Sequence, residues 1–324
     1  MQTKVTANAV AMRRWLTRAE ESLGNHSDRL NAINIFPVAD GDTGTNLYLT
    51  VRAAATAAND SDASDLGELL TTAGRAAMEE ARGNSGTLFA VFLMAFAEPL
   101  VGSTRLTCSL LASSLHRAQL RSWSALSDPV PGTMLSVLEA SAAGAGATAS
   151  DRDGDDSNNA LAETLTGAVQ HALRAVVQTE SQLGMLAEAQ VVDAGGVGFL
   201  LILDALRAAA LGEELQNELI DGLHGYEIQS PHIHVGNDAE GVEVMCTINL
   251  SPLDAATLRL HLDELGDSVI MSAVSEVAEG YRWRVHVHVP DAEPALALIH
   301  RAGTPVNITV TQLASAAGAG AGEP

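Results

Sequence analysis

The stretch NIFPVADGDTGTNLYLT, Asn34 to Thr50, sets two carboxylates, Asp40 and Asp42, on either side of one glycine. Thr43, Gly44, Thr45 and Asn46 follow before an apolar run begins. Residues two apart in loop or extended backbone project to similar sides, so Asp40 and Asp42 can converge on one cation. Magnesium takes one or two carboxylates together with phosphate oxygens, and the free amides of a helix start bind anions. The same letters also spell an Asx-turn in which Asp42 or Thr43 caps the following helix. The rest of the chain decides between the two.

Three more glycine-bearing loops lie at expected helix junctions: ARGNSGT (81–87), PGTMLSV (131–137) and VVDAGGVGFL (191–200). They offer Asn84 and Ser85, then Gly132 and Thr133, then Asp193 with its glycines. If the helices run up and down, such junctions can collect at one end. Four together favour a metal-and-phosphate site over a lone cap.

Working outward, apolar residues at helical spacing predict helices over about 4–24, 46–58, 65–81, 87–100, 104–125, 133–147, 159–178 and 197–211. Asp65 reads as an N-cap. SDPVPGT (127–133) and DRDGDDSNN (151–159) separate helices. The second is not an EF-hand, because Asp156 and Ala162 stand where that loop needs Gly and Glu. Past residue 222 the texture changes. EVMCTINL (243–250), DSVIMSAVSE (267–276), YRWRVHVHV (281–289) and VNITVTQL (306–313) are β-rich, with helices expected at 253–265 and 293–301. The expected organisation is an all-α domain at 1–213, a linker at 214–225, a small α/β domain at 226–314 and a disordered low-complexity tail at 315–324.

The composition limits the function classes. The chain has 324 residues, is 47% hydrophobic but only 3% aromatic, and carries a formal net charge of -22. Such a field repels nucleic acid and anionic lipid while tolerating metal cations. Cys108 and Cys246 form no CxxC pair, which fits a reducing cytoplasm. No signal-peptide pattern is read at the N-terminus, and the apolar run Leu88–Ala97 is too short to span a bilayer, which needs ~20 residues.

NIFPVADGDTGTN, ARGNSGT, PVPGTMLSV and VVDAGGVGF, in that order, resemble the signature loops of the dihydroxyacetone kinase L-subunit family. They are most similar to those of the ATP-binding A subunit of bacterial two-component fatty acid kinases. The resemblance covers about residues 5–213 and implies an antiparallel barrel of eight helices that binds ATP and two Mg2+ ions at one end. Transferred to this numbering, it makes Asp40 and Asp42 catalytic magnesium ligands, with Asn34 near a further ligand position. Thr43, Gly44, Thr45, Asn46, Asn84, Ser85 and Gly86 would hold phosphates. Gly132, Thr133, Met134, Asp193, Gly195 and Gly196 would line the nucleotide pocket. The chain departs from the family pattern at Ala39, Leu47 and Pro131, none of them an expected metal ligand.

In RVHVHV (284–289), His286 and His288 share one strand face. Two imidazoles and a third ligand from a neighbouring strand can bind zinc. The resemblance extends here through LGDSVIM (265–271) and RVHVHVPD (284–291), and it implies Cys246, His286 and His288 as a Zn2+ site. PHIHV (231–235), with His232 and His234, reads as strand or linker.

The function expected is Mg-ATP-dependent transfer of the γ-phosphoryl group to a small acceptor, foremost a fatty acid carboxylate held by a separate binding protein. Two alternatives stand beside it: the L-type subunit of a dihydroxyacetone kinase, or a nucleotide-binding scaffold without turnover. The family's further C-terminal domain is expected to be missing, and the alanine-rich helices can support a homodimer.

Overall fold

The computed structural model describes residues 7–226, 241–278 and 280–313. His232, His234 and the 315–324 tail lie outside them. The first part is helical: α1 (Ala9–Ala32), α2 (Thr43–Asp60), α3 (Leu66–Glu79), α4 (Gly83–Ala97), α5 (Cys108–Ala125), α6 (Met134–Asp151), α7 (Asn158–Gln182), the short α8 (Gly184–Ala189) and α9 (Ala194–Leu211). The second part alternates strands and helices: β1 (Val242–Leu250), α10 (Pro252–Asp263), β2 (Asp267–Val277), β3 (Gly280–Val289), α11 (Ala292–Ala302) and β4 (Val306–Gln312).

Local caps place several helix starts. Asp65 accepts from Glu68 N at 2.8 Å, Thr107 from Leu110 N at 3.3 Å, and Asp193 from Gly196 N at 2.7 Å. Each satisfies an amide that the helix itself cannot. α9 is the central post. By length and composition it could cross a membrane, yet every one of its residues is buried among the other helices. Phe199 on α9 meets Phe92 of α4 edge-on at 5.1 Å between centroids, and Trp15 of α1 donates to Ile202 O at 2.9 Å. With so few aromatics, close approach of small residues supplies the remaining packing. A Cβ on Gly198 would meet Leu47 at 2.4 Å.

The expected linker at 214–225 is in part helical-domain structure. It carries a 3₁₀ turn at Asn217–Ile220, and Ile220, Leu223 and Tyr226 join the helical core. Tyr226 is anchored by a 2.9 Å hydrogen bond between its hydroxyl and His26 Nδ1. Apolar residues spaced for burial, rather than linker composition, explain the difference.

The four strands form one antiparallel sheet in the order β2-β3-β1-β4, a split β-α-β arrangement. One face packs on α10 and α11 through Val244, Cys246, Ile248, Val285 and Val287. The other faces the helical domain, where Ile270 and Val274 join the helical core. The central strands alternate accordingly: their valines face α10 and α11, while Glu243, Thr247, Arg284, His286 and His288 face the helical domain. The junction is also polar. Arg284 donates to Ala81 O at 3.1 Å, Ser127 to Val269 O at 3.0 Å and Arg259 to Ala125 O at 3.1 Å, and Leu126 bridges Ile270.

Candidate functional site

The loop before α2 passes through a cis Phe36–Pro37 bond and turns at Gly41, whose φ of +66° suits glycine. Asp42 occupies the N-cap position of α2 but makes no side-chain capping bond. The cap comes instead from α1: Asn31 Oδ1 accepts from Gly44 N at 2.8 Å and Thr45 N at 3.1 Å. The Asp42 carboxylate is thus released toward Asp40. The same bonds correct an expectation. The Gly44 and Thr45 amides are engaged by Asn31, and neither residue lines the cavity that Asp40, Asp42, Thr43 and Asn46 border. Gly44 has a packing task, since a Cβ there would stand 2.3 Å from Ser27 O. Asn34, buried beside this pair, donates its Nδ2 to Asp40 Oδ1 and so orients it.

The cavity has a volume of about 300 Å³. Three more helix starts open on it. Gly83, Asn84 and Ser85 come from α4, Thr133 and Met134 from the α6 start, and Asp193 and Gly195 from the α9 start. Arg82, at the α4 N-cap, makes no side-chain cap bond. Asn84 Oδ1 is buried without a hydrogen-bond partner, a polar atom suited to a ligand. Asp193 ties two starts together by accepting from Gly196 and from Met134. Gly86, Gly132 and Gly196 do not border the cavity. They allow close packing against Thr50, Gln182 and Val137 respectively.

The remaining wall is the sheet. Glu243, Asp267, Ser268 and His288 border the same cavity from β1, β2 and β3. The β1–β3 register pairs Glu243 with His288 and Met245 with His286, whereas Cys246 pairs with Val285. Paired residues share a face, so Cys246 lies on the opposite face from both histidines, within the apolar core under α10 and α11. This corrects the expected third zinc ligand. Glu243 takes that place: ligand atoms of Glu243, His286 and His288 all lie within 4.8 Å of one another.

The donors fit a metal. Both ring nitrogens of His286, a fully buried residue, lack hydrogen-bond partners, as does Nδ1 of His288. The ring centroids stand 4.9 Å apart. Burial lowers the pKa of both histidines, for His286 well below its usual 6.5, keeping them in the neutral form that ligates. Burial also pushes Cys246 up to about 12, away from a ligating thiolate. Three protein donors leave a further position open.

Negative charge accumulates in the cavity. Burial raises Asp40 well above the ordinary carboxylate range, and Asp42 beside it adds to the rise. Glu243 is raised to about 7 by burial and then by Asp42 across the junction. Asp193 is raised to about 6 by burial, against the pull of its two amide bonds. Sequence reasoning missed Asn31, Asp128, Glu243 and Asp267. Only Glu243, in a strand alternating with valines, carried a signal, and it could be read only with the strand register.

Comparison with known proteins agrees with this architecture. A family profile described as the DAK2 domain matches residues 37–208, and one described as the middle domain of fatty acid kinase A-subunit-like proteins matches residues 240–319. The chain belongs to the DAK2 domain family. It is 26% identical over 283 residues to an uncharacterized protein of Staphylococcus haemolyticus, covering 84% of this chain and 49% of that one. An uncharacterized protein of Staphylococcus aureus strain bovine RF122 / ET3-1 is likewise 26% identical, with 84% and 50% covered. The chain therefore spans about half the length of these relatives. Among solved structures, the dihydroxyacetone kinase from C. freundii, crystallised with AMP-PNP and Mg2+, aligns with a TM-score of 0.45 and 20% identity. That alignment covers 63% of this chain and 34% of that one.

Proposed function

We propose that this chain is the ATP-binding component of a magnesium-dependent kinase whose acceptor is a small anionic molecule, foremost a fatty acid carboxylate presented by a separate binding protein. One observation carries the reading. The carboxylate pair Asp40–Asp42 and the starts of α4, α6 and α9 border one cavity, although more than 150 residues separate Asp40 from Asp193. The match of a fatty acid kinase-like middle domain supports the acceptor class.

Phosphoryl transfer rests on alignment and charge neutralisation more than on covalent chemistry. Magnesium held at Asp40 and Asp42 would supply that neutralisation on the phosphates. Asn34 fixes the rotamer of Asp40. Asn84, Ser85 and the α4 amides beyond Gly83 receive phosphate oxygens, and Thr133, Met134 and Gly195 shape the pocket around the nucleotide. A carboxylate acceptor is already ionised and needs no general base. Zinc held by Glu243, His286 and His288 would lie on the opposite wall.

The test is Asp42→Asn in the full chain. Magnesium-dependent ATP binding, measured by titration calorimetry, is expected to weaken at least ~10-fold, the smaller effect typical even for groups that merely support a ligand. Turnover with fatty-acid-loaded partner proteins should be lost. Unchanged magnesium-dependent binding in this variant overturns the assignment. Tight ATP binding by the wild type with no turnover for any acceptor would instead identify a nucleotide-binding scaffold.

A further inference from the structure

Glu243 touches groups of both walls. It belongs to β1 and lies against the buried His286, with Oε1 3.3 Å from His286 Nδ1. It also reaches across the domain junction, where its carboxylate accepts from the backbone N–H of Gly83, the first residue of α4. Gly83 holds a positive φ of +60°, and a Cβ there would meet Asn46 Nδ2 at 2.5 Å. The loop that turns into α4 is therefore closely confined, and Glu243 is a confining group on the sheet side. Arg284 braces the same loop by donating to Ala81 O at 3.1 Å.

We propose that Glu243 is a positioning residue that couples the two walls: it completes the cation site of His286 and His288 and, through Gly83, fixes the start of the phosphate-facing helix α4. The importance of α4 for phosphate rests on the kinase reading above, but the coupling itself does not.

The geometry supports the coupling. In the free protein the carboxylate takes its hydrogen bond from Gly83, with Arg284 and Arg82 attracting it by charge, and the approach to His286 Nδ1 makes no hydrogen bond. A cation drawn to the two orphaned imidazoles also attracts this carboxylate. With one oxygen turned to the cation and the other to Gly83, the rotamer of Glu243 is fixed from two sides. The α4 start then loses freedom it has when the cation is absent. By reciprocity, whatever orders the α4 start also tightens the cation site.

The experiment uses the full chain, stripped of metal by chelation and then loaded with Zn2+, in wild type, Glu243→Gln, Glu243→Ala and His286→Ala. Zinc content is read by elemental analysis, and backbone order at 82–87 by amide hydrogen exchange. In the wild type, zinc is expected to slow exchange at the α4 start about fivefold or more, the lower end of ordinary coupling. Glu243→Gln keeps an oxygen for Gly83 but loses the charged ligand. It should match the metal-free wild type in exchange, bind zinc at least ~10-fold more weakly and show no zinc effect. Glu243→Ala should exchange faster than the metal-free wild type. His286→Ala should lose zinc but retain the metal-free exchange rate.

Equal exchange in metal-free and zinc-loaded wild type overturns the coupling, and wild-type zinc affinity in Glu243→Gln overturns the ligand assignment. AMP-PNP binding is measured on the same samples. Failure of the wild type to bind it would count against the kinase reading and leave both exchange and zinc outcomes decisive for Glu243.

Discussion

Asp193 offers a stability test whose sign and size follow from its surroundings. The residue is only 6% exposed, and burial raises its pKa from 3.8 to about 6. A carboxyl group with a raised folded-state pKa is bound more tightly to its proton in the folded chain than in the unfolded one. It therefore costs no stability below about pH 4, and its penalty grows as pH rises toward 6 and is complete above it. At ~1.4 kcal/mol per pH unit, the displacement from 3.8 to about 6 corresponds to ~3 kcal/mol. Asp193→Asn removes the ionisation while keeping an oxygen for the Gly196 amide, which is the better defined of its two bonds at 2.7 Å. The substitution has an offset of its own, because an amide satisfies one N–H where the carboxylate satisfies two. The pH dependence is independent of that offset. Urea unfolding of both proteins, without nucleotide or metal and followed by helical circular dichroism, is run between about pH 4 and 7.5. The stability of wild type relative to variant should fall by ~2–3 kcal/mol across that range, most of it below about pH 6. A difference constant to within ~0.5 kcal/mol would refute the claim that Asp193 is buried as an ionisable group at the meeting of α6 and α9.

Two further outcomes test the packing of the site. Gly44→Ala places a methyl 2.3 Å from Ser27 O and 2.8 Å from Leu30 Cβ. It should cost ~1–3 kcal/mol by overpacking the α1–α2 contact, seen as a lowered midpoint in thermal unfolding, and an unchanged midpoint would contradict that contact. Cys246→Ala should leave metal content intact, because Cys246 faces the apolar core. Cobalt-loaded wild type should lack the near-ultraviolet thiolate-to-metal band, and its appearance would restore the cysteine as a ligand.

The helices were legible because their signals are local. Asp65, Thr133 and Asp193 each announce a start by a side chain that bonds an amide two or three residues on, and the apolar spacing between such starts does the rest. The convergence of four glycine-bearing loops was legible only as a possibility of helical up-and-down order. What sequence could not give was any bond between distant segments. Asn31 caps α2 from another helix, so Asp42, the natural local candidate, was free for a different task. The sheet failed on parity. Glu243 and Cys246 are three residues apart in one strand, so only one can share a face with His286 and His288. Which one does so is fixed by the pairing of β1 with β3, some forty residues away.

The charge balance of the cavity constrains any account of what enters it. Asp40, Asp42, Asp128, Asp193, Glu243 and Asp267 all border it, and no Lys or Arg among the described residues does. Two guanidiniums attract Glu243 from outside the cavity lining: Arg284, which donates to Ala81 O and Thr247 Oγ1, and Arg82, which also borders a separate cleft between α2 and α3. A polyphosphate brought into such a cavity alone would meet like charge from the loop before α2, the α9 start and the sheet. Many kinases meet that charge with a lysine or arginine; on the kinase reading proposed above, divalent cations would do so here. Burial first, and then the nearness of Asp42, raise both Asp40 and Glu243 above the ordinary carboxylate range. A cation at either wall relieves its own carboxylates and lowers the field felt at the other. On that reading, cation binding and phosphate binding would be successive steps of one neutralisation, with the sheet domain as one wall of the site.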